Sequence, residues 1–227
     1  MHWRLLFLLM LFSVSLTSTP TVFNKPGPII LVGGGAIPPE ALNWAKQYIT
    51  PGKKIVLTCC KYRFEEIKEK WNNLIGDCQV MVANEFTEDD LQGLSFLVIN
   101  GGDQWEYLTK LDRSLIQKVH DKGIIILGTS AGAMILSEFC FTAENGTITS
   151  DDLSDEKVNI YHDFVKIKSL KNTIIETHFT ERDRQDRLKL FITSSGAGKG
   201  IGIDENTALC INGKTHKVFG EGHVHKF

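Results

Sequence analysis

The residue best suited to covalent chemistry is Ser130, at the centre of Gly128-Thr-Ser-Ala-Gly132. Gly-x-Ser-x-Gly is the spacing of a sharp strand-to-helix turn that carries its serine at the tip. The glycines let the backbone fold where a Cβ would clash. Ile124 to Leu127, just before it, is a short β-branched run bounded by glycines, and reads as a strand buried in a parallel sheet. Ala131 to Ser137 reads as the following helix, whose free N–H groups and dipole favour negative charge beside the serine. The same pattern also fits a glycine-rich turn in which Ser130 merely caps that helix.

A serine hydroxyl is a weak nucleophile and needs a base, which in turn needs an orienting group. Of the seven histidines, His120 ends a helix beside Asp121, His162 lies in a polar stretch, and His216, His223 and His225 lie in the last hairpin. His178 ends the strand-like run Asn172–His178 and precedes a charged segment, a site-like place that a structural histidine fits as well. The candidate carboxylates are Glu205, Asp204, Asp151 and Asp152. Glu205 follows a strand-like run and can accept the Nδ1–H of His178, or simply satisfy turn N–H groups. An oxyanion hole needs two convergent donors. The N–H of Ala131 and the Gly101-Gly102 backbone could supply them, or the glycines could serve only a tight turn. Arg182, Arg184 and Arg187 could fix a substrate carboxylate by bidentate bonds, or lie on a solvated face with Asp183 pairing Arg187.

These residues need a scaffold that gathers them. Pro28–Val32, Lys54–Thr58, Cys78–Ala83, Leu94–Asn100 and Ile124–Leu127 read as strands; helices are expected after Pro38-Pro39, over Phe64–Leu74 and over Tyr107–His120. Alternating strands and helices predict an α/β fold with a mostly parallel central sheet flanked by helices, and sites at the carboxyl ends of its strands. Gly33-Gly-Gly35, Gly101-Gly-Asp-Gln104 and Ser130 all sit at such ends. Gly33-Gly-Gly35 is a poor dinucleotide fingerprint, because Pro38 occupies the place of the third glycine. Glu138–Phe164 reads as a polar surface excursion with a short hairpin, Glu181–Phe191 as a charged helix, and the C-terminal third as more antiparallel, with a hairpin turn at Asn212-Gly213.

With 42% hydrophobic residues and a net charge of -2, the 227-residue chain is neither disordered nor a polyanion binder. Met1–Arg4 followed by the apolar Leu5–Leu16 has the form of a secretory signal peptide, cleaved around Ser18 to Thr21. An uncleaved anchor is the alternative, although the run falls short of the about 20 residues of a membrane span. The expected organisation is therefore a signal peptide over residues 1–20 and one α/β domain over residues 21–227, exported to the periplasm or the exterior. The five cysteines have no metal-ligand spacing and read mostly as buried thiols, with one bridge left open. Asn145-Gly-Thr147 is a glycosylation sequon.

Four motifs in order, Gly101-Gly-Asp-Gln104, Gly128-Thr-Ser-Ala-Gly-Ala133, Glu176-Thr-His-Phe179 with Arg182, Arg184 and Arg187, and Gly200-Ile-Gly-Ile-Asp-Glu205, resemble the cyanophycinase and dipeptidase E family of serine exopeptidases, the cyanophycinase branch above all. The resemblance spans about Pro28 to Phe219. It implies a sandwich like that of class I glutamine amidotransferases, with Ser130 as nucleophile, His178 as base and Glu205 as orienting acid. Gly102 and Ala131 would form the oxyanion hole; Gln104, Glu176, Thr177, Arg182, Arg184 and Arg187 would bind substrate. It further implies hydrolysis of β-aspartyl or aspartyl peptides; no cofactor, no metal and no nucleic-acid partner are expected, and a homodimer is one option. The sequence departs from the branch where Asp-Gln-His-Phe becomes Glu176-Thr-His-Phe179, and it is short between Ser130 and His178, so a small peptide other than cyanophycin fits. An α/β-hydrolase esterase using Asp204 and His223, and a non-catalytic binding module, are the rival readings.

Overall fold

The computed structural model describes residues 25–227; the expected signal peptide lies outside them. The chain runs through β1 (Ile29–Val32), α1 (Pro39–Ala45), β2 (Lys53–Thr58), α2 (Phe64–Ile75), β3 (Gln79–Val82), β4 (Leu94–Ile99), α3 (Gln104–Lys110), α4 (Arg113–Asp121), β5 (Ile125–Thr129) and α5 (Ala131–Met134). It continues through β6 (Phe139–Phe141), β7 (Ile160–His162), β8 (Thr173–Thr177), α6 (Gln185–Ser195), β9 (Lys199–Ile203), β10 (Thr207–Asn212), β11 (Thr215–Gly220) and β12 (Val224–Lys226).

A seven-stranded sheet has the order β11-β10-β1-β5-β4-β2-β3. Its five strands from β1 to β3 are parallel, and β10 and β11 add antiparallel at one edge. The parallel strands are apolar on both faces because both are covered. Ile29, Leu31, Leu57 and Ile99 pack with Tyr107, Leu115 and Val119 of α3 and α4. Their neighbours Ile30, Val32, Val56 and Val98 pack with Ala41, Trp44, Ile67 and Trp71 of α1 and α2. Each such aliphatic side chain removed from water contributes about 1.5–3 kcal/mol before entropy is counted.

A second sheet, β12-β9-β8-β6-β7, was not expected from a reading of one central sheet. Ile175 of β8 and Ile203 of β9 join the first core, while Phe141 and Ile174 face Leu188 and Phe191 of α6. The C-terminal third is antiparallel only in part: β10–β11 and β9–β12 are, but β8 and β9 run parallel. Gly200–Asp204 and Thr207–Ile211 do not form a hairpin, because the turn at Asn206, with φ 53°, passes the chain from one sheet to the other. The expected helix over Tyr107–His120 is two helices; the Asp112 side chain accepts the Ser114 N–H at 2.8 Å and starts a new one. The helix after Ser130 stops at Met134, where Ser137 Oγ lies within hydrogen-bond distance of the Met134 and Phe139 carbonyls, at 2.6 and 2.7 Å, its one proton shared between them, and the chain turns into β6. The 138–164 stretch does contain a hairpin, β6 with β7, but Cys140, Phe141, Ile148 and Phe164 are buried in it. Among the described residues no helix is long and apolar enough to cross a membrane.

Candidate active site

Ser130 follows β5 with φ 52° and ψ -121°, a conformation that costs a non-glycine residue about 1–3 kcal/mol. The flanking glycines are required by packing: a Cβ on Gly128 would lie 2.3 Å from the Gly132 carbonyl oxygen, and one on Gly132 would lie 2.1 Å from that of Ile99. The turn is held because the Ser130 N–H donates to the Val32 carbonyl at 2.9 Å. Tight packing around the turn thus holds the hydroxyl out at the carboxyl end of the sheet.

His178 follows β8 and is also left-handed, at φ 49°. Its N–H donates to the Gly33 carbonyl at 2.7 Å, and its ring lies against Gly34, where a Cβ would meet Cε1 at 2.2 Å. Nε2 is 2.7 Å from Ser130 Oγ, and Nδ1 is 2.5 Å from Glu205 Oε1. With the carboxylate accepting from Nδ1–H, Nε2 is the ring nitrogen free to accept the serine proton. Burial lowers the His178 pKa from its ordinary value; Arg182 and Arg184 push the same way and Glu205 opposes them. A neutral imidazole at neutral pH is the form a base requires.

Glu205 follows β9. Its backbone N–H donates to Glu181 Oε2 at 3.1 Å. Asp204, the rival acid, is 4% exposed and engaged by Thr180, by the His223 N–H and by His225. The His223 ring is largely exposed, with Nδ1 3.8 Å from Asp204, and Ser130 pairs with His178 instead.

The Gly101-Gly102 turn stands beside Ser130: a Cβ on Gly101 would be 3.4 Å from Ser130 Cβ and 3.9 Å from its Oγ. Gly102 packs on Cys59, and the Asp103 N–H donates to Cys59 Sγ at 3.2 Å. Tyr107 braces the turn from below through a 2.8 Å bond to the Asn100 carbonyl. Ala131 opens α5 next to the serine, and the half-buried Gln104 opens α3, its amide donating to Met134 Sδ at 3.3 Å.

Glu176 and Thr177, expected among the pocket residues, have no exposed surface. The Glu176 carboxylate is the counter-ion of the arginines. Arg187 Nε and Nη2 donate to its two oxygens at 2.8 and 2.7 Å, and Arg184 Nη1 donates at 2.8 Å. Arg187 also packs against the stacked Phe141 and Phe191 rings, with Cζ 5.6 and 5.3 Å from their centroids, and donates to the Ile148 carbonyl at 2.7 Å. Thr177 Oγ1 is buried with no hydrogen-bond partner among the described residues. Arg182 is exposed, and among the described residues its guanidinium has no carboxylate partner. The three arginines, with Thr147, Ile148, Thr149 and Ser150, line a cavity of about 150 Å³. The 147–150 wall, Gly34 and Glu181 escape a reading by motif; only Gly34 carries a local signal, its place in a glycine run at a strand end. All five cysteines are free thiols, and burial pushes Cys59 up to about 11. Among the described residues no group of three or more His, Cys, Asp or Glu is arranged to hold a metal ion.

The model of peptidase family S51 matches residues 65–219. Cyanophycinases of Synechococcus elongatus and Thermosynechococcus vestitus are each 30% identical over 134 residues. Those residues are 56% of this chain and 40% of the length of either relative. The crystal structure of a peptidase from an acI-B1 Actinobacterium superposes with a TM-score of 0.64, at 21% identity, covering 89% of this chain and 91% of that one. It shares the fold.

Proposed function

The chain belongs to peptidase family S51, and from that premise we propose that it is an exported serine exopeptidase that hydrolyses short acidic peptides through Ser130, His178 and Glu205. The observation that carries this reading is the unbroken hydrogen-bonded chain from the Ser130 hydroxyl through the imidazole to the Glu205 carboxylate. In the reaction, Ser130 Oγ attacks the scissile carbonyl while His178 Nε2 takes its proton. The charge that develops on the carbonyl oxygen is met by the N–H groups of Ala131 and Gly102, a donor pair of which each member is worth about 3 kcal/mol. The imidazolium, held by Glu205, returns the proton to the leaving amine. Water then attacks the acyl-enzyme by the same route and releases a carboxylate product.

Preference for an acidic peptide is supported by charge. Three guanidinium groups surround the small cavity, and among the described residues Glu176 is the one carboxylate bound to them. One carboxylate thus faces three guanidinium groups, and among the described residues Arg182 has no carboxylate partner. Such a site favours an aspartyl or β-aspartyl residue over a neutral one. The volume suits one short side chain or terminus rather than a long polymer segment.

The test is a hydrolysis screen of purified protein against α-aspartyl dipeptides, β-aspartyl dipeptides and cyanophycin, run beside Ser130→Ala and His178→Ala. The expected result is cleavage of an aspartyl or β-aspartyl dipeptide that both substitutions abolish. Cleavage that survives His178→Ala would overturn the mechanism. Export is tested separately, by sequencing the mature amino terminus, which is expected near residues 18–21.

A further inference from the structure

Resting on the Ser130–His178–Glu205 reading, we propose that Asp204 is a positioning residue whose carboxylate clamps the loop after His178 to the turn that bears Glu205. The two proposed partners come from different loops, one after β8 and one after β9, and something must fix the gap between them. Asp204 immediately precedes Glu205 and is almost wholly buried. Its Oδ1 accepts from the Thr180 N–H at 3.1 Å and from the Thr180 hydroxyl at 2.7 Å. Thr180 is two residues beyond His178. Its Oδ2 accepts the His223 N–H at 2.8 Å, and His225 Nε2 lies 3.1 and 3.2 Å from the two oxygens.

One carboxylate therefore joins three segments: the His178 loop, the Glu205 turn and β12. The backbone reinforces it, with Phe179 N–H donating to the Ile203 carbonyl at 3.2 Å and Asp204 N–H to that of His223 at 3.2 Å. The His225 ring in turn packs, tilted, against that of Phe179, the residue between His178 and Thr180, with centroids 4.7 Å apart. Asp204 touches neither Ser130 nor the imidazole, so it acts through the other two residues. A merely structural aspartate would lower stability on removal and leave the turnover of the folded protein alone.

The experiment uses Asp204→Asn, Thr180→Val and Thr180→Ser in the full chain, with Ser130→Ala and His178→Ala as references. Two measurements are made: steady-state kinetics, giving kcat and KM on the dipeptide cleaved best, and the titration midpoint of His178 by NMR with and without Glu205→Gln. The charged groups that face His178, namely Glu205, Arg182 and Arg184, are otherwise common to all variants. Asp204→Asn is expected to lower kcat about tenfold at unchanged KM, since small misplacements cost up to about a hundredfold. Thr180→Val is expected to lower kcat roughly fivefold, the scale of one hydrogen bond, and Thr180→Ser to restore it. Glu205→Gln should lower the His178 midpoint in the unaltered protein, and lower it less in the Asp204→Asn and Thr180→Val backgrounds.

If kcat of the folded variants is unchanged, or if Glu205→Gln shifts the midpoint equally in every background, the clamp is wrong. Should Asp204→Asn fail to fold, Thr180→Val decides by the same two readings. Hydrolysis that survives His178→Ala, or a Glu205→Gln substitution that moves no midpoint even in the unaltered protein, would instead defeat the underlying reading.

Discussion

Gly34 and the His178 ring are so close that a β-carbon on the glycine would sit 2.2 Å from Cε1. With φ +117°, Gly34 is also in backbone territory that side chains rarely enter. The ring is thereby walled on one side by bare backbone. Gly34→Ala should push the imidazole off Ser130. We expect kcat to fall by about a hundredfold or more, with a stability loss on the order of 1 kcal/mol. Steady-state kinetics and urea unfolding on the same preparation check this; full activity would show that the ring has room to move.

Ser130 carries a second testable property, its strained backbone. Ser130→Ala and Ser130→Gly both remove the nucleophile and should cost a factor on the order of 10⁴–10⁶ in turnover. They differ in the folded chain, because only glycine relaxes a φ of 52° with a ψ of -121°. Ser130→Gly should therefore unfold at higher temperature than Ser130→Ala, with a difference of about 1 kcal/mol. Equal melting temperatures would mean that the turn stores no such cost.

The acid limb of activity follows from His178. Burial, aided by Arg182 and Arg184, holds its pKa below the ordinary 6.5. The base form then persists as the solution is acidified past that value, so kcat/KM should decline only at a pH under 6.5. Arg182→Ala removes one of the groups that lower the pKa. Its limb must shift to higher pH, whatever happens to substrate affinity. A pH profile of kcat/KM for both proteins tests the sign; a shift to lower pH would contradict the electrostatic account.

The Glu176–Arg187 pair should dominate stability in this region. Glu176→Gln leaves Arg187, 2% exposed, without its counter-charge, and breaking such a buried pair costs about 3–5 kcal/mol. Lys189 and Asp186, a neighbouring pair on the exposed side of α6, lie 2.8 Å apart. Separating them should cost at most about 0.5 kcal/mol. Denaturant melts of Glu176→Gln and Asp186→Asn make the comparison, and similar losses would refute it.

The proposed mechanism moves protons only between side chains, substrate and water. Incubation with a chelator and dialysis should accordingly leave the rate unchanged, and a loss restored by added metal would require another mechanism.

The Ser130 turn is legible in the sequence because everything that shapes it is local: an apolar strand, two glycines and the serine between them. The parallel strands β1 to β5 are legible for the same reason, each being an apolar run closed by turn residues. His178 and Glu205 are less so. Their partnership depends on the second sheet, whose strands β6 and β7 are three residues long and sit in a stretch that reads as polar excursion. Nor does the spacing of Arg182, Arg184 and Arg187 reveal that Glu176, on the preceding strand, turns two of them inward. That ion cluster is made by contacts between β8 and α6, and by a carbonyl from the 142–159 stretch. The break at Leu111-Asp112 is hidden from helical periodicity because a cap competes with it, and there the cap wins.

Ser130 ends a strand of the seven-stranded sheet, whereas His178 and Glu205 end strands of the five-stranded one. The 2.7 Å link between hydroxyl and imidazole is therefore a gauge of how the two layers are seated on each other. A slip of one layer by less than an ångström would silence the enzyme while both layers still gave an intact circular dichroism spectrum. Mild denaturant should thus extinguish turnover ahead of the loss of secondary structure, and a compound that wedges the layers apart could inhibit without ever entering the pocket.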